Sequence, residues 1–105
     1  MIKNIIEKGY EDLNNSVDIS KDEDLLTAVN QTLSDLDRGK IRVAEKSDNG
    51  WIVNDWIKKA ILLYFSLTDN SRLPGGISDF YDKVPLKYNN LSEEEARANK
   101  VRIVP

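Results

Sequence analysis

The chain has 105 residues, 40% of them hydrophobic and 31% charged, with 15 basic and 18 acidic side chains and a net charge of −3. That length predicts one domain spanning 1–105 with a modest core. Histidine and cysteine are both absent, which excludes an imidazole base, a Ser-His-Asp triad, a disulfide, a thiol nucleophile and an iron–sulfur or zinc-knuckle site. Acid–base work would fall to Asp, Glu, Lys or Tyr, and no metal is expected. A pI near 4.9 argues against nucleic-acid binding, which needs clustered Lys and Arg.

The N-terminal stretch repeats apolar residues at Ile2, Ile5, Ile6, Tyr10 and Leu13, the spacing of a helix with one apolar stripe. It is amphipathic and is not the charged head and apolar run of a signal segment. The longest apolar run, Ala60 to Phe65, is far short of the ~20 residues that span a bilayer. A soluble, cytoplasmic chain with no membrane partner is the expectation. Asn14-Asn15-Ser16 reads as a break. Ser20 with Glu23 matches a capping box and opens a second helix, with Leu25, Leu26, Val29, Leu33 and Leu36 as its stripe and Gly39 as its C-terminal stop. Two striped helices on a short loop predict an antiparallel helical hairpin.

Period-two alternation from Ile41 and the turn-forming Ser47-Asp48-Asn49-Gly50 predict a β-hairpin over 41–53. Asn54 or Asp55 then caps a third helix, Asp55 to Leu67, apolar on most sides and so expected at the centre, with Trp51 and Trp56 in the core. Thr68 to Ser78, with Pro74-Gly75-Gly76, reads as loop. Phe80 to Tyr88 holds Pro85 and reads as an edge strand or ordered loop. Ser92 with Glu95 opens a short helix ending near Lys100, and Val101-Arg102-Ile103-Val104 reads as a strand. The fold class is α+β: a helical hairpin, a β-hairpin and a central buried helix. An apolar strand at the very end predicts a chain cut where another unit begins.

Generic motifs are empty. Gly75-Gly76 is followed by no Lys-Ser/Thr, and Asp35-x-Asp37-x-Gly39 is a helix end, lacking the rest of a calcium loop. Lys58-Lys59 reads as a solvated face.

Longer blocks carry more. Leu36-Asp37-Arg38-Gly39-Lys40-Ile41-Arg42-Val43-Ala44-Glu45-Lys46, then Trp51, then Asn54 through Leu63, closely resemble the N-terminal domain of bacterial tetrahydrodipicolinate (2,3,4,5-tetrahydropyridine-2,6-dicarboxylate) N-succinyltransferases. Leu67-Thr68-Asp69-Asn70, Phe80 to Tyr88 and Val101 to Pro105 agree in order and spacing. The resemblance covers the whole chain and is weakest before residue 20. It implies an N-terminal, acceptor-side domain of an acyltransferase that moves succinyl from succinyl-CoA to tetrahydrodipicolinate in diaminopimelate and lysine synthesis. It also implies a homotrimer whose catalytic body, a left-handed parallel β-helix, lies after this segment and is absent from it. The CoA groove and the acidic catalytic residue belong to that body. The 105 residues alone are therefore expected to bind no cofactor, to be monomeric and to be inactive, succinyl-CoA being the co-substrate of the full-length enzyme.

One site residue follows from the resemblance. The terminal block aligns Arg102 with an arginine that contacts the acceptor, and a guanidinium fork suits a dicarboxylate. In a strand with Val101 and Ile103 turned to the core, Arg102 would face outward; without the resemblance it reads as an ordinary surface arginine. Lys83 could hold a carboxylate or pair with Asp82 across the loop, so both stay outside the site. The rival reading, from another class, is a free-standing, non-catalytic α+β interaction module.

Overall fold

Three helices pack pairwise in the computed structural model, which describes residues 1–105: α1 (Ile2–Asn14), α2 (Glu23–Asp37) and α3 (Asp55–Leu67). The stripes read from the sequence meet in one cluster. Ile6 of α1, Leu25, Ala28 and Val29 of α2, and Ala60 and Leu63 of α3 are buried together with Ile19 from the α1–α2 loop. Tyr10, Leu13, Leu33, Trp56, Tyr64 and Leu67 pack around them. Thr32 is the one buried polar side chain, and its hydroxyl donates to the Ala28 carbonyl at 2.8 Å, so burial leaves it satisfied.

The helix ends follow local chemistry, with one correction. The Ser20–Glu23 capping box does not form. Asp22 is the N-cap of α2, and its carboxylate accepts the Leu25 N–H at 3.0 Å. Ser20 instead donates its backbone N–H to Asp18 at 2.9 Å, one turn earlier. Asp22 sits three residues before the N–H it caps, the same offset as Ser20 to Glu23, so composition alone left the choice open. At the other end Gly39 adopts φ +73°, with its N–H on Leu36 O and the Lys40 N–H on Asp35 O. That is a Schellman closure, and the left-handed residue it requires is the glycine expected there.

The first hairpin is shorter than 41–53. Strands β1 (Ala44–Ser47) and β2 (Gly50–Val53) pair antiparallel, Ala44 opposite Val53 and Ser47 opposite Gly50. A second hairpin replaces the loop expected over 68–78: β3 (Ser71–Pro74) pairs antiparallel with β4 (Asp79–Asp82), with Leu73 opposite Phe80. Pro74 is tolerated because it closes β3 beside the turn. Helix α4 (Glu93–Asn99) has the serine half of the Ser92–Glu95 capping box, the Ser92 hydroxyl accepting the Glu95 N–H at 3.1 Å, without the return bond to the Glu95 side chain.

Three further expectations are corrected. The strand over 101–104 does not form. Lys100 turns left-handed (φ +53°), the Val101 N–H closes back on Ala96 O, and the tail pairs with no other segment. Trp51 is 72% exposed on its hairpin, and only Trp56 packs against the core. Helix α3 is central, touching both α1 and α2, but only Ile57, Ala60 and Leu63 are fully enclosed, and Leu62 and Phe65 face solvent. The three-helix body has too little mass to cover a helix apolar all round.

The molecule is thin. Its principal extents are 44 × 40 × 19 Å and its radius of gyration is 16.7 Å, against about 13 Å for a compact chain of this length. The hairpins and α4 extend from the helical body and do not pack on it. No helix is long and apolar enough to cross a membrane.

Candidate functional site

The largest concavity lies where the 84–87 segment returns to the helices. Its first wall is Asn30, Leu33, Ser34 and Asp37, which helical spacing places on one side of α2. The second wall is Ile61, Tyr64 and Phe65 of α3, and Val84-Pro85-Leu86-Lys87 forms the third. Together they line a cleft of about 600 Å³. Three polar contacts hold the third wall. The Tyr64 hydroxyl donates to Lys83 O at 3.0 Å, the Lys83 ammonium donates to Phe65 O at 2.8 Å, and the Lys87 ammonium pairs with Asp37 at 2.9 Å.

These contacts reassign Lys83 and Asp82. Lys83 neutralises a carbonyl in the last turn of α3, where a cation suits the helix dipole. Asp82 accepts the Lys83 backbone N–H at 2.7 Å, so no Asp82–Lys83 salt bridge forms. Lys87 has its pKa raised above the ordinary 10.5, first by the hydrogen bond to Asp37 and then by that carboxylate's charge, and it stays protonated at neutral pH. The cleft can therefore receive an apolar group beside a neutralised ion pair. Nowhere does the chain gather three Asp or Glu that could hold a metal ion.

Arg102 lies on the exposed tail and makes no hydrogen bond or ion pair. Its neighbour Ile103 shares a shallow depression with Leu86, Lys87, Tyr88, Asn89 and Asn90, so the tail lies along the turn that carries Lys87. The sequence reading had Val101 and Ile103 both turned to the core. Val101 is half-buried, but Ile103 is 56% exposed, so Arg102 is not oriented by a sheet. Of the basic residues 83, 87 and 102, the first two are engaged within the chain and Arg102 is free. The Asp37–Lys87 pair was invisible in the sequence because fifty positions separate its members and neither sits in a local motif. The only hint was that both fall in blocks carrying the resemblance.

A family model described as the N-terminal region of tetrahydrodipicolinate N-succinyltransferase matches residues 1–67, which include α1, α2, β1, β2 and α3. The chain belongs to this succinyltransferase N-terminal family. The match takes in the first twenty residues, where the resemblance was weakest. Similar full-length proteins carry the name 2,3,4,5-tetrahydropyridine-2,6-dicarboxylate N-succinyltransferase. That of Alkalilimnicola ehrlichii is 46% identical over 104 residues, that of Legionella pneumophila strain Paris 42% over 104, and that of Ralstonia pickettii 46% over 105. Each alignment covers 99% of this chain and 38% of the relative. The chain thus spans well under half the length of the succinyltransferases it matches, and β3, β4, α4 and the Arg102 tail lie within those longer alignments.

Proposed function

We propose that the chain is the acceptor-side N-terminal domain of an enzyme that moves succinyl from succinyl-CoA to tetrahydrodipicolinate in diaminopimelate and lysine synthesis. The observation that carries this is the match of 99% of its residues, at 46% identity, to a protein named for that activity. In the reaction water adds across the C=N bond of the cyclic acceptor, the amine nitrogen so formed attacks the thioester carbonyl, and a C–N bond forms as the C–S bond breaks; the nitrogen's proton goes to the sulfur, so CoA leaves as the thiol, and the hydrated carbon opens to a ketone. The complete enzyme is a cytoplasmic homotrimer in this reading. The groove for CoA and the groups that handle the proton lie in the polypeptide that follows. The 105 residues alone are monomeric and bring one group to the substrate, the free guanidinium of Arg102, which grips a carboxylate of the dicarboxylate acceptor.

The test is steady-state kinetics on the enzyme encoded by the complete gene, with each substrate varied in turn. Truncating a buried charge-assisted pair costs about 2–5 kcal/mol, which is roughly 30-fold to several-thousand-fold in acceptor kcat/KM at about 1.4 kcal/mol per decade. Arg102→Ala shows that loss, Arg102→Lys recovers part of it, and the KM for succinyl-CoA stays near its starting value. An unchanged acceptor kcat/KM in Arg102→Ala removes Arg102 from the site. Absence of CoA release by the complete enzyme with both substrates refutes the activity itself. The 105-residue chain releases no CoA under the same conditions.

A further inference from the structure

The surface area is out of proportion to the mass. A compact monomer of 12.0 kDa exposes about 6,000 Å², whereas this chain exposes 8437 Å². The excess, about 2,400 Å², is roughly three times what one partner contributes to a standard protein–protein interface. The thin shape and the elements that lack support account for it. Neither hairpin packs against a helix or against the other hairpin, and a free two-stranded sheet is marginal in water.

In each hairpin the second strand carries apolar residues on both faces, beside Glu45, Lys46 and Arg72 of the first strands. In β2, Trp51 and Val53 point to one face and Ile52 to the other, and all three are exposed. In β4, Phe80 and Tyr81 likewise take opposite faces and both are exposed. Ile103 is a further exposed apolar residue, on the tail. A sheet that met water on one face would alternate apolar with polar residues, and the consecutive exposed apolar residues Trp51, Ile52 and Val53 mark an interaction site.

A second copy of the chain is a poor fit, because an ordinary pairwise contact covers only a third of the excess. The relatives supply a better occupant: the larger part of their length lies outside the region matched here and on the same polypeptide, where tethering gives a high effective concentration. We propose that the hairpins and the 101–104 tail form the docking surface for the polypeptide that follows in the longer protein, through Trp51, Ile52, Val53, Phe80, Tyr81 and Ile103. The hairpins hold their structure against that partner, and the three-helix body folds without it. This rests on the chain's being part of a succinyltransferase-length protein, but not on that protein's activity.

Amide hydrogen exchange tests it, on the 105-residue chain and on the same chain continued into the sequence that follows it in its own gene. In the longer protein the amides of 44–53 and 71–82 gain at least about 100-fold protection, while those of α1, α2 and α3 differ between the two by less than about tenfold. Trp51→Ser with Tyr81→Ser leaves helical melting of the short chain within about 2 °C and lowers that of the longer protein by about 5 °C or more. Equal hairpin protection in both proteins overturns the proposal. So does hairpin protection in the short chain that rises with its concentration, which would make a second copy the occupant, and so does a gene that ends at Pro105. None of these measurements uses substrate, so loss of the proposed activity and loss of the docking surface are read separately.

Discussion

Gly9 sets how closely α1 approaches α2, and replacing it should expose how tightly the core is filled. It is buried in α1, and a methyl group there would meet both δ-methyls of Leu25, one at 2.7 Å, with Cγ at 3.1 Å. Leu25 has no solvent exposure and lies in the cluster with Ile6, Ala60 and Leu63, so its branches cannot swing outward. Two effects oppose each other in Gly9→Ala. Helix propensity favours alanine by about 1 kcal/mol, and overpacking costs about 1–3 kcal/mol. Because Leu25 Cγ itself is crowded, the upper part of that range applies, and the net is a loss of about 1–2 kcal/mol. The melting temperature falls by about 5–15 °C. Leu25→Val removes both δ-carbons at a cost of about 1 kcal/mol. In that background only the milder γ-carbon contact at 3.1 Å opposes the propensity gain, and the net cost of Gly9→Ala falls to near zero. Urea unfolding followed by circular dichroism at 222 nm, on the four members of this cycle, measures the coupling directly. A Gly9→Ala variant as stable as the parent, or a cycle with no coupling, would refute the close-approach argument.

Tyr64→Phe removes the hydroxyl that holds Lys83 O; it costs about 0.5–1.5 kcal/mol, and faster amide exchange around 83–87 reports the loosened cleft wall. Asp22→Ala destabilises by about 1 kcal/mol as a lost N-cap, whereas Ser20→Ala stays within about 0.5 kcal/mol, and urea midpoints for the two variants separate the caps. Stability is flat from about pH 6 to 9, since without histidine no side chain has its ordinary pKa near neutrality. Above that window the contributions of Lys87 and Lys8, whose folded pKa values are raised from 10.5 by Asp37 and Asp12, are lost as the pH climbs through them. On the acid side, Asp18 is held below 3.8 by hydrogen bonds from Ser20, first its side chain and then its backbone. Its contribution is complete above 3.8 and disappears as the pH falls through the lowered value; all three groups are exposed, so each effect is small, and unfolding midpoints across pH read the sign.

Elements whose cause is local were legible. The bounds of α3 coincide with the apolar run between Asn54 and Thr68, and the serine half of the Ser92–Glu95 box formed, because each depends on residues within one or two turns. The second hairpin was missed because Pro74-Gly75-Gly76 carries the signature of a loop. Nothing local in Ser71-Arg72-Leu73 announces that it pairs with Asp79 to Asp82. The 101–104 segment misled for the opposite reason. Its period-two pattern is that of a strand, but a strand needs a neighbour to pair with, and the Lys100 turn sends the tail away from any in this chain. Arg102 was singled out only through the resemblance; the geometry adds that its guanidinium is free. The cleft wall depends on Asp37 meeting Lys87 and on Tyr64 meeting Lys83, contacts that exist only after the chain has folded back on itself.

Asn54 joins the first hairpin to α3 at two points, its backbone N–H on Val43 O at 2.8 Å and its side-chain Nδ2 on Arg42 O at 2.7 Å. The joint leaves little freedom at the base, so once its strands are held in place the hairpin moves with the helix axis as an arm. Strands of four residues at about 3.3 Å per residue make that arm about 13 Å long. A tilt of α3 by about 10° therefore carries the hairpin tip through roughly 2 Å, most of an atomic diameter. A small repacking at Ala60 or Leu63 is magnified in this way into a displacement of Trp51, and whatever rests on Trp51 feels the state of a core it does not touch.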